Sequence, residues 1–79
     1  MREKVNFEVL KAEEIKFGNN NFIEVSRKKA VTKEGENEFI SLSRGFFLPN
    51  GQKRFKTSIT IPLSYEVVEF ITTKLKEML

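Results

Sequence analysis

Apolar and polar positions alternate along most of the chain between residues 15 and 61, and from residue 64 the spacing changes to that of a helix. "IKFG" is a short extended piece closed by Gly18 and the asparagines Asn19 to Asn21. "NFIEVSRKKAV" follows as a strand with Ile23 and Val25 on one face and Phe22, Glu24, Ser26 and Lys28 on the other. "TKEGENE" predicts a solvated loop with Gly35 at its tip. The next strand, "EFISLSRGFFL", sets Ile40 and Leu42 against Ser41 and Ser43, and then places Arg44 on the apolar side. Gly45 predicts a bulge there, which shifts the phase and decides which of Phe46 and Phe47 turns outward. "PNGQ" is a turn signal, since Pro49 presets φ and Asn50-Gly51 tolerates positive φ. "KRFKTSITI" then directs Phe55, Ile59 and Ile61 inward and Arg54, Lys56, Ser58 and Thr60 outward. Upstream, "KVNFEVLKAEE" alternates at Val5, Phe7 and Val9 and suggests an additional N-terminal strand.

In "PLSYEVVEFITTKLKEML", Pro62 ends the last strand, Ser64 is a good N-cap and Glu66 lies in the first turn. Val68, Ile71, Leu75 and Met78 form a stripe widened by Val67, Phe70 and Leu79. The pattern predicts an α+β chain: an antiparallel sheet of four to five strands followed by one C-terminal helix. The apolar face of that helix is broader than one small sheet needs, so the expectation is a two-fold homodimer through the helix, with Val68, Ile71, Leu75 and Met78 at the interface.

Length sharpens that expectation. Seventy-nine residues make one domain, read here as residues 15–79 with residues 1–14 as an N-terminal extension. A chain this short buries only about 60% of its unfolded surface alone. With no cysteine, histidine or aspartate, neither disulfides nor the usual structural metal sites add to it. Oligomerisation remains as the source of extra buried area. There is no signal-like apolar run and no stretch of membrane-span length, so the expected setting is soluble and intracellular, cytoplasmic or nucleoid-associated.

Charge changes the picture more than composition does. The net +3 is concentrated in residues 21 to 61, where eight cations face four glutamates. The cations there fall into two acid-free clusters, Arg27, Lys28, Lys29 and Lys33, then Arg44, Lys53, Arg54 and Lys56, which is the footprint of a nucleic-acid binder. Cysteine nucleophiles, histidine proton transfer and aspartate-anchored magnesium are absent from the composition, so no enzyme and no cofactor is expected. The glutamates of "KEGENE" lack the ligand ladder of a calcium loop. Cations and hydroxyls for phosphates, with Phe46 or Phe47 to stack on an unpaired base, suit single strands better than duplex. The candidate nucleic-acid-binding residues are therefore Arg27, Lys28, Lys29, Arg44, Phe46, Phe47, Lys53, Arg54 and Lys56. Single-stranded RNA, or an acidic protein partner on the same basic face, are the alternatives.

The order "IKFG", "FIEV", "ISLSRGFF", "PNG", "KRFK", "SITI" and "LSYEVVEFITTKLKEM" resembles the transcriptional coactivator family of single-stranded-DNA-binding proteins, the positive-cofactor-four type. The resemblance covers residues 15 to 79 and lies in order and spacing rather than in one motif. It implies a homodimer with helices at the interface and curved sheets that present grooves to single-stranded DNA. It also implies contacts by Phe46, by Arg44 or Ser43, and by Arg54 and Lys56. Lys28 stands where the family carries an aromatic, and the loop "AVTKEGENE" is longer than the family's.

Overall fold

A computed structural model describes residues 5–79. Residues 1–4, the start of the N-terminal extension, lie outside the described residues. Four antiparallel strands, β1 (Asn6–Phe17), β2 (Asn21–Thr32), β3 (Gly35–Phe47) and β4 (Lys53–Ile61), pair in sequence order as a meander, and α1 (Tyr65–Glu77) follows. Among the described residues no helix is long and apolar enough to cross a membrane.

The extension and "IKF" are one continuous strand rather than two. Leu10 is the extra residue that joins them: Val9 pairs with Lys28, but Lys11 pairs with Arg27. That bulge flips the phase, so Phe7 and Val9 share a face with Ala12, Glu14 and Lys16. The expected loop at "TKEGENE" is instead a tight hairpin in which Thr32 pairs with Gly35. The Thr32 hydroxyl accepts from the Glu34 N–H and donates to the Gly35 carbonyl, which caps the turn and lets the glutamates join β3.

A second correction concerns the bulge near Gly45. The shift is present between Arg44 and Gly45, but the extra residue is Lys56 on β4: Arg44 pairs with Thr57 and Gly45 with Phe55. β3 itself runs in phase along β2 through Phe46. Gly45 supplies the room, because a β-carbon there would run into the Arg54 carbonyl oxygen and lie 2.8 Å from the Phe22 ring.

These registers sort the side chains into two faces. Phe22, Glu24, Ser26, Lys28, Phe39, Ser41, Ser43, Phe47, Lys53, Phe55 and Ser58 share one. It is concave: Lys53 on β4 bonds both Glu24 on β2 and Glu14 on β1, the opposite edge of the sheet. Three strand spacings would separate those edges by about 14 Å in a flat sheet. Curling of that degree leaves space for only small groups on the floor. Ser26, Ser41 and Ser43 are buried there, and the Ser58 hydroxyl bonds those of Ser41 and Ser43, each at 3.0 Å. Phe22 is 0% exposed, against the rings of Phe47 and Phe55 with the Lys53 ammonium above it.

The other face carries Ile23, Val25, Ile40, Leu42, Ile59 and Ile61 and receives α1. The Ser64 hydroxyl accepts from the Val67 N–H at the helix start, and Lys74 and Lys76 oppose the dipole at its end. Val68, Ile71 and Leu75 line a cavity of about 190 Å³ with Val25, Ile40, Leu42 and Ile61, and no residue of the helix is buried. Phe22 and Ile61 are the only buried apolar side chains among the described residues.

Candidate nucleic-acid interface

The basic edge formed by β4 is the centre of the site. Were β4 regular, Phe55 would lie in phase with Ile59 and Ile61, on the helix side. The bulge at Lys56 instead turns Phe55 onto the concave face, where its ring meets Phe22 edge-on at 5.2 Å and stays 53% exposed. The expectation that Phe55 belongs to the helix-side core is thus overturned by one inserted residue. Phe47 lies beside it on the same face, tilted against Phe22 at 5.2 Å, with the Lys16 ammonium 5.0 Å from its ring centre. Phe46 points to the helix side.

The same bulge distributes the cations. Arg54 pairs with Phe46 and so lies on the helix side of the sheet, not on the face of Ser58 and Thr60 as the alternation predicts. Lys56 borders a hollow with Asn21, Arg44, Phe46 and Thr57. The Arg44 guanidinium sits 5.4 Å from the centre of the Phe17 ring. Arg44, Arg54 and Lys56 are exposed and make no ion pair among the described residues. β4 therefore presents aromatic rings on one face and, on the other, cations unpaired among the described residues, along an edge with no further strand beside it among those residues.

Other expected contacts have different roles. Lys53 is the strap across the concave face; the hydrogen bonds that its ammonium donates to Glu14 and then to Glu24 hold it above the usual lysine pKa. Lys29 is bracketed at 3.5 Å by Glu8 and by Glu36, and attraction to Glu36, then Glu8, raises its pKa. The Arg27 Nε donates to Glu38 at 3.0 Å. Arg27 and Lys29 are thus on the helix-side face, paired by the glutamates that the hairpin draws into β3. Lys28 alone of that cluster lies on the concave face, unpaired among the described residues. Of the expected interface residues on the helix, Val68, Ile71 and Leu75 face the sheet, while Met78 is the C-cap, 81% exposed.

The alternation misses Phe17 and Phe55 as exposed aromatics, and the half-buried Phe39 on the concave face. An Arg-Phe-Lys run on an edge strand facing a glycine is the signal that marks a bulge and so finds Phe55.

No family model matches the sequence, and no curated protein or solved structure matches it either.

Proposed function

We propose that the chain is a homodimeric single-stranded-DNA-binding protein of the coactivator type it resembles, largely indifferent to sequence and acting in transcription, replication or repair. The observation that supports this reading is the bulged edge of β4: exposed Phe55 and half-buried Phe47 on one side, and on the other Arg54, Lys56 and Arg44, unpaired among the described residues. A phosphate backbone following that edge meets the cations, while its bases turn onto the rings; stacking of this kind accepts any base. Duplex DNA offers no free base faces for it. The dimer is supported by the helix face, where an apolar cavity stays open and the helix buries no residue.

Fluorescence anisotropy with oligo-dT and with a duplex of equal length tests the reading. The single strand binds more tightly, and its log affinity falls against log salt with a slope of about −3 to −4, for about 4 to 6 phosphates neutralised. A slope near zero, or equal affinity for duplex, removes the proposal. Matched oligo-U decides whether RNA is the better ligand.

A further inference from the structure

The far end of the concave face carries a second aromatic cluster that the β4 edge does not use. There Phe7 of β1 meets Phe39 of β3 edge-on, with ring centres 6.2 Å apart, and Phe7 is 63% exposed. Lys28, between them on β2, pairs with both Phe39 and Val9, and makes no ion pair among the described residues. The charges of this three-stranded arm are segregated. The glutamates on its strands, Glu8, Glu36 and Glu38, lie on the opposite face, each bound to Lys29 or Arg27. The two acids elsewhere on the concave side, Glu14 and Glu24, are held by Lys53. The concave face of the arm thus offers aromatic rings and the Lys28 cation, with no carboxylate on that face of the arm among the described residues, while Lys33 and Glu34 lie at the hairpin tip; such a face suits a polyanion with stacking faces.

We propose that Phe7, Phe39 and Lys28 form a second station for the same single strand, Phe7 and Phe39 stacking a base and Lys28 meeting a phosphate. This rests on the reading of the protein as a single-strand binder. Phe39 and Phe47 are on one face of β3, eight residues apart, or roughly 26 Å along the strand. Between them Ser41, Ser43 and Gly45 are buried, and the Lys53 strap to Glu24 and Glu14 crosses the face there, so a chain that joins the two stations passes over that strap. Spanning that distance takes roughly four to eight nucleotides, between extended and helically stacked spacing. An oligomer too short to span it engages one station only.

Anisotropy titrations with oligo-dT of about 3 and about 16 nucleotides, on wild type, Phe7→Ala and Lys28→Ala, test this. Phe7→Ala, an exposed site, weakens the long oligomer about 10-fold and leaves the short one unchanged. Lys28→Ala lowers the salt slope by about one for the long oligomer only. If both variants match wild type on the long oligomer while Phe55→Ala binds weakly, the second station is refuted and the β4 site stands. If wild type binds neither oligomer, both readings fail together. If Phe7→Ala changes the sedimentation coefficient of free protein, the arm contacts a second copy instead, and the station is refuted.

Discussion

The two faces of the sheet differ in how completely the chain finishes them. The centre of the concave face is closed by its own residues, with Phe22 covered by Phe47, Phe55 and Lys53 and serines on the floor, while Phe55 and Phe7 toward its edges stay exposed. The helix face leaves Val25 and Ile59 at least half exposed and an open cavity under α1. A small chain has too little apolar surface to complete both faces, and this one spends its aromatic rings on the side that curls. This contrast is the ground for proposing a dimer at the helix face and nucleic acid at the β4 edge.

The largest effect that breaks this contrast is loss of the ring at its centre. Phe22→Ala destabilises the fold by about 3–5 kcal/mol, because the site is fully enclosed and cannot collapse around the gap. Thermal unfolding checks it, at roughly 4–8 °C per kcal/mol for a chain of this size. On the helix face, Ile71→Glu places a charge in the apolar cavity. Wild type sediments as a dimer with a melting temperature that rises with protein concentration, and the variant loses both, at a cost of about 2–3 kcal/mol. A monomeric wild type with a concentration-independent melting temperature would show that the helix face needs no second copy.

Much of this arrangement was legible in the alternation of residues, and the exceptions share a physical cause. Ile23, Val25, Ile40 and Leu42 fall on the face that period two assigns them, and the helix begins at the Ser64 cap; Ser26, Ser41 and Ser43 share the opposite face as expected, but are buried there rather than open to phosphates. What the alternation misplaces, Phe55 and Arg54, lies beyond a bulge whose extra residue is Lys56. A glycine in one strand signals close approach but does not say which partner is bulged. Likewise "TKEGENE" looks like loop because its glutamates are polar, whereas in the hairpin Glu38 pairs with Arg27 and Glu36 with Lys29. Cations judged free along the chain turn out to be paired only once register is known.

A smaller effect sharpens the account of the concave side. Lys53→Ala removes the strap to Glu14 and Glu24 and costs about 1–2 kcal/mol, with the loss of the cation above Phe22 included. Its ammonium is held above the usual value of 10.5, so the strap's contribution is complete below that pH and is lost as pH rises through the higher folded value. Wild type therefore loses stability above pH 10.5 more steeply than Lys53→Ala, as pH-dependent melting shows.

The most direct test compares Phe55→Ala with wild type for oligo-dT affinity under one salt condition, with melting temperature followed in parallel. The bulged β4 edge predicts about 10-fold weaker binding with the fold retained. Unchanged affinity in a folded Phe55→Ala protein would contradict it.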